Sequence, residues 1–180
     1  MSNFFFIERK SNKINSPLIV LIHGYGSNER DLFSLIDYFP IDSYVISLRA
    51  PKELFNDSYA WYDIYLDSNN KFYDHDAAAR VRDELFHFID DLSKSPNIDS
   101  DNITLIGFSQ GAILSHAISF SYPDKIKNII ALSGVIDEKI MKKTSLIPKT
   151  NIYISHGTND NLISYETSLS LIHISEPTRR

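Results

Sequence analysis

Gly107-Phe108-Ser109-Gln110-Gly111 places a serine between two glycines, each two positions away. A serine so placed can act as an acyl-transfer nucleophile, because a sharp strand-to-helix turn lifts its hydroxyl clear of the backbone. The turn demands strained dihedrals at the serine, and side chains two positions to either side would collide where strand and helix cross. The flanks fit: Ile103–Phe108 reads as a buried strand and Gly111–Tyr122 as a helix stopped by Pro123. An ordinary turn serine is the bland alternative, and this setting disfavours it.

Acyl transfer also needs donors for a developing oxyanion. Leu18–Ile22 delivers His23-Gly24-Tyr25-Gly26 into a loop, and the expected donors are the backbone N–H groups of Tyr25 and Gln110; losing one such donor costs about 10²–10³ in rate. A phosphate or dinucleotide loop is the rival reading of Gly24-Tyr25-Gly26. It fails because the third glycine of G-x-G-x-x-G would fall on Glu29, and no Lys-Ser/Thr pair follows. His23 precedes Ser109, whereas the histidine of a serine, acid, histidine series comes last in this strand-turn-helix setting. It is read as a loop residue that holds the turn through a side-chain hydrogen bond. Downstream, Ile152–Ser155 leads into His156-Gly157-Thr158-Asn159-Asp160. Asp160 is the candidate acid that would orient an imidazole, with an Asx-turn aspartate as the alternative. His156 lies before the acid and is read as a buried packing residue.

These groups must be carried by a scaffold, and the pattern supplies one. Leu18–Ile22, Tyr44–Leu48, Ile103–Phe108, Ile129–Leu132 and Ile152–Ser155 are continuous apolar runs, as strands covered on both faces should be. Asp76–Ser93 repeats Val81, Leu85, Phe88 and Leu92 at helical spacing, with Pro96 beyond, and a further helix is expected over Arg30–Tyr38 before Pro40. Met1–Lys10 is expected to add an antiparallel edge strand or hairpin. Strand and helix alternate, so the class is α/β with a mostly parallel sheet and helices on both faces.

Composition narrows the function classes. The 180 residues are 43% apolar and carry a net charge of −5 with lysine and arginine scattered, so one domain is expected, without nucleic acid as a partner. There is no cysteine, which excludes disulfides, thiolate catalysis and Cys-based zinc sites. His75, His87 and His116 have no ligand-spaced partners, so no metal is expected. Phe4–Ile7 runs at once into Glu8, Arg9 and Lys10, too short for a signal peptide, and no run approaches the roughly 18 apolar residues of a membrane span. A cytoplasmic protein without stable membrane insertion is the resulting expectation.

Taken together, Leu21–Gly26, the Ser109 pentapeptide and His156–Asp160 resemble the phospholipase/carboxylesterase family of α/β-hydrolases, which includes acyl-protein thioesterases. Arg49-Ala50-Pro51 and Tyr59-Ala60-Trp61-Tyr62-Asp63 resemble its segment beside the acyl pocket. The resemblance implies cofactor-free hydrolysis of small-molecule or lipid acyl esters or thioesters through an acyl-enzyme. It also implies that Trp61 lies near the acyl group, with core filling as the equal alternative; a homodimer is left open.

The C-terminal part departs from the family pattern. The general base is expected about 30 residues beyond the acid, yet His173 is the single histidine after Asp160. It sits in Leu169–Arg179, which resembles the translation of a transposase adapter used in preparing sequencing libraries. Residues 1–168 are therefore expected to form a C-terminally truncated α/β-hydrolase domain lacking its last strand and helix, with 169–180 a non-native tail. A nearly inactive hydrolase follows; a hydrolase-like binding module without catalysis and a serine peptidase on the same fold are the alternatives.

Overall fold

The computed structural model describes residues 4–67 and 70–157, so Asp160, His173 and the whole 169–180 run lie outside the described residues. In chain order the elements are β1 (Phe6–Arg9), β2 (Ser16–Ile22), α1 (Arg30–Phe33), β3 (Tyr44–Leu48), a hairpin of β4 (Lys52–Phe55) and β5 (Ser58–Ala60), a second hairpin of β6 (Ile64–Asp67) and β7 (Asn70–Tyr73), α2 (His75–Ser93), β8 (Ile98–Phe108), α3 (Gln110–Ser121), β9 (Asn128–Leu132) and β10 (Asn151–Ser155). Six strands form one sheet in the order β1-β3-β2-β8-β9-β10. Only the β1–β3 pairing is antiparallel, which makes β1 the expected edge strand.

The continuous apolar runs of β2, β3 and β8 are explained by burial on both faces, whereas β10, expected to be covered likewise, exposes alternate residues. Within β2, Leu18, Val20 and Ile22 join the core shared with α2 and α3, while Ile19 and Leu21 turn to the opposite face, against Leu32, Phe33 and Ile36. Alternate residues point to opposite faces of a strand, so neither set could be polar. Helix α2 starts where the Asp74 side chain accepts from the Ala77 N–H at 3.0 Å, a cap worth about 1 kcal/mol.

Two features differ from expectation. The helix expected over Arg30–Tyr38 is broken into α1 and a 3-10 turn at Ile36–Tyr38. Ser34 Oγ donates to the Asp31 carbonyl at 2.6 Å, competing with the helical ladder, and Leu35 sits at φ −87°, ψ 7°. The break lets both pieces lay apolar side chains on the sheet. The two hairpins were not expected at all: their strands are three or four residues long, and β4–β5 turns through Asn56 and Asp57 at φ 42° and 60°. Positive φ at both central residues matches the right-handed twist of a two-residue hairpin. No described helix is long and apolar enough to cross a membrane.

Helix α3 is buried almost all round, and His116 within it is fully buried with neither ring nitrogen hydrogen-bonded. Burial pushes its imidazole down to about 4 from 6.5, so the folded protein holds it neutral. Below pH 6.5 the unfolded chain binds this proton more readily, so the stability it contributes is complete above that pH and lost as pH falls toward 4. We expect urea unfolding of the wild type to lose about 2 kcal/mol more between pH 7.5 and pH 5 than His116→Leu does. Equal losses in the two proteins would refute this.

Candidate active site

The turn at the end of β8 has the geometry that the glycine spacing demands. Ser109 adopts φ 52°, ψ −113°, a region in which L-residues are strained by about 1–3 kcal/mol. Its N–H donates to Leu132 O at 2.9 Å, and its carbonyl accepts from Ala112 and Ile113 at 3.0 and 3.1 Å. The turn is thus tied to β9 on one side and to α3 on the other. A Cβ on Gly107 would lie 2.4 Å from the Gly111 carbonyl, and one on Gly111 would lie 1.9 Å from Ile22 O. Both contacts are with backbone, so no rotamer change relieves them.

The loop after β2 lies at the same sheet edge, because Ile22 pairs with Gly107 in the β2–β8 register. Here the structure gives His23 its role. Its Nε2 accepts from the Ala50 N–H at 3.1 Å, so the proton belongs on Nδ1, which donates to Gly24 O at 2.7 Å. Burial, the largest influence, holds its pKa below the usual value. With both nitrogens engaged and no exposure, His23 has no free nitrogen with which to take a proton from Ser109. It braces the loop, as its place before the serine led us to expect.

Beyond it, Gly26 at φ 78° donates its N–H to Tyr59 O at 2.9 Å, and Tyr59 returns a bond to Ser27 O at 2.8 Å. The N–H groups of Tyr25 and Gln110 make no hydrogen bond to any described residue, leaving two donors free at one edge. The Gln110 side chain is engaged: Oε1 accepts from the Trp61 N–H at 3.1 Å and Nε2 donates to Tyr62 O at 2.9 Å. Trp61 is 2% exposed and packs between Phe4 and His23, its indole N–H donating to His23 O at 2.8 Å. The ring packs against the loop through its bond to His23 O, while the Trp61 backbone N–H ties this segment to Gln110 at the start of α3.

Sequence reasoning missed the group that anchors this loop. Glu29, 1% exposed, receives two bonds from Arg49, at 2.6 Å from Nε and 2.7 Å from Nη2. Arg49 also stacks on Phe5 and Tyr59, 4.2 and 4.6 Å from the ring centroids. The guanidinium holds the Glu29 carboxyl below the usual carboxylate range. Its stabilisation is therefore present above the ordinary carboxylate pKa and lost as pH falls through the lowered one. Glu29→Gln leaves Arg49 facing a neutral amide and should cost about 3–5 kcal/mol in urea unfolding, whereas Glu29→Gln with Arg49→Met recovers most of it. No recovery in the double variant would show that the two side chains act separately.

Strand β10 brings the last expected element to the same edge. Ser155 pairs with Leu132, whose carbonyl holds the Ser109 N–H, and Ser133 N–H donates to Ser155 O at 2.8 Å. Asp160 follows outside the described residues. His156, expected to be buried, is only partly so; it follows β10, the last strand of the described sheet, whose alternate residues are exposed.

A family model described as phospholipase/carboxylesterase matches residues 2–173. The chain belongs to the phospholipase/carboxylesterase family. Among relatives of this phospholipase/carboxylesterase chain, MhqD of Bacillus subtilis is 29% identical over 154 residues, 86% of this chain and 74% of that protein. Acyl-protein thioesterase 1 of Schizosaccharomyces pombe is 35% identical over 107 residues, 58% of this chain but 47% of that protein; the chain spans about half the length of that relative. The crystal structure of the Bacillus cereus carboxylesterase superposes with a TM-score of 0.80 at 24% identity, covering 96% of this chain and 79% of that one. The fold is thus that of the α/β-hydrolase carboxylesterases, and the activity class of the family is ester hydrolysis.

Proposed function

We propose that this family member cleaves carboxylic ester or thioester bonds through an acyl-enzyme on Ser109. The observation that carries the reading is the strained dihedral pair of Ser109, held between glycines that tolerate no Cβ. Strain of that kind persists where surroundings enforce it, and it clusters at reactive centres. The steps use few groups. Ser109 Oγ attacks the substrate carbonyl carbon as its proton passes to a base. The oxygen's charge is met by the N–H groups of Tyr25 and Gln110. Collapse expels the alcohol or thiol, and water then releases the acid. Asp160 is proposed as the carboxylate that orients the base, and Trp61 as the pillar that keeps the donor loop in register.

We further propose that residues 1–168 are the hydrolase unit and that turnover in this chain is slow. His23 has both nitrogens engaged and His116 is sealed in the core, while His173 belongs to the adapter-like run. A missing triad member lowers turnover by about 10⁴–10⁶. With p-nitrophenyl butyrate, kcat should fall far below the 1–10³ s⁻¹ typical of enzymes. A kcat inside that range, abolished by Ser109→Ala, would uphold Ser109 and refute the slow turnover.

A further inference from the structure

We propose that an open depression beside the Tyr25 loop receives a neutral polyhydroxylated alcohol, the polar half of the ester; this rests on the serine-hydrolase reading above. The depression, about 610 Å³, is lined by residues 26–28, 30, 31, 34 and 56–58, and none of these has an apolar side chain. Ligand sites are as a rule mainly apolar with a few polar groups, and a hydrocarbon acyl chain would meet no apolar residue here. Yet the depression begins at Gly26, one residue past the proposed oxyanion donor, within about 4 Å of chain. On this proposal, a substrate whose ester carbonyl sits at Ser109 extends its polar half past Tyr25 into the depression.

Its polar groups are already fixed. Ser27 Oγ donates to Asp31 at 2.6 Å, Asn28 Nδ2 donates to Asp57 O at 2.9 Å, and Asn28 Oδ1 accepts from the Arg30 N–H at 2.9 Å. Side chains ordered before binding need not be ordered by the ligand, so weak hydroxyl contacts suffice. The charge pattern then selects the class. Arg30 is neutralised by Asp57 at 2.9 Å and Glu29 at 3.7 Å, so it offers no spare positive charge to a phosphate, and Asp31 and Asp57 would repel one. What remains to meet a ligand are hydroxyl, amide and carboxylate oxygens, among them the Ser58 hydroxyl and Asn56 amide, which make no hydrogen bond to a described residue. Such groups suit glycerol-like or sugar-like hydroxyls, which both donate and accept.

The test uses uncleavable ethers, so that binding is read independently of catalysis. By saturation-transfer NMR titration, 1-O-butylglycerol should bind at least about tenfold tighter than butyl methyl ether, which lacks both hydroxyls, a difference of about 1.4 kcal/mol. Ser58→Ala and Asp31→Asn should each remove most of that preference. Equal binding of the two ethers, in protein that a fluorophosphonate still labels at Ser109, overturns the depression and leaves the hydrolase reading standing. Preference for butylglycerol with no labelling upholds the polyol site and removes the ester-cleaving context. Tighter binding of the 3-phosphate of butylglycerol than of butylglycerol itself overturns the neutral class.

Discussion

Gly111→Ala should not yield folded protein. The added Cβ would sit 1.9 Å from Ile22 O, 2.6 Å from Ile22 C and 2.9 Å from His23 O, so relief means separating α3 from β2. Those elements carry the centre of the core, including Leu18, Val20, Ile22, Leu114 and Ile118. A cost above about 4–5 kcal/mol is diagnostic of such a mechanism and is comparable to the whole stability of many domains. A graded series makes the expectation sharp. Gly26→Ala meets no atom within 4 Å but inherits φ 78°, so it should cost about 1–2 kcal/mol. Gly157→Ala meets nothing among the described residues and has no such φ, so it should stay within about 0.5 kcal/mol of wild type. Urea midpoints of the three variants check the order; a soluble Gly111→Ala protein with near-wild-type stability would contradict the geometry of the turn.

Replacing Ser109 should separate reactivity from stability in opposite directions. Ser109→Ala removes the nucleophilic oxygen and should abolish covalent reaction with a fluorophosphonate altogether. Ser109→Gly should do the same and also gain stability, because glycine adopts φ 52°, ψ −113° without the strain of about 1–3 kcal/mol that a Cβ brings. The gain is smaller than the full strain, since glycine loses more backbone entropy on folding. A Ser109→Gly protein less stable than Ser109→Ala would mean that the turn is not held under strain.

The chemistry was legible in the sequence where it is local. The elbow spans five residues, and its glycines announce the close approach that the structure shows at Gly107 and Gly111. Four of the core strands were legible because cover on both faces leaves a continuous apolar run with no polar alternation; β10 was legible from its short apolar run although its alternate residues are exposed. The failures are tertiary. Glu29 stood out only as the residue that spoils a glycine-rich loop, yet it is the buried partner of Arg49, 20 residues on, and no local period links the two. The β4–β5 and β6–β7 hairpins are too short for a periodicity signal; Asn56-Asp57 and Asp67-Ser68-Asn69-Asn70 were the turn cues present. The break in the Arg30–Tyr38 helix falls where the Ser34 hydroxyl bonds the Asp31 carbonyl, a local polar contact that a pattern of apolar residues does not register. Trp61 could be read either way from type alone, and its bonds to His23 and Gln110 are contacts between distant segments that no local pattern registers.

The central claim is that Ser109 is the nucleophile. It is tested most directly by treating the folded protein with a fluorophosphonate and locating the adduct by intact-mass and peptide mass spectrometry. The account predicts slow accumulation of one adduct per chain, on the peptide containing Ser109, and none in Ser109→Ala. A folded protein that acquires no adduct, or carries it on a different serine, would contradict it.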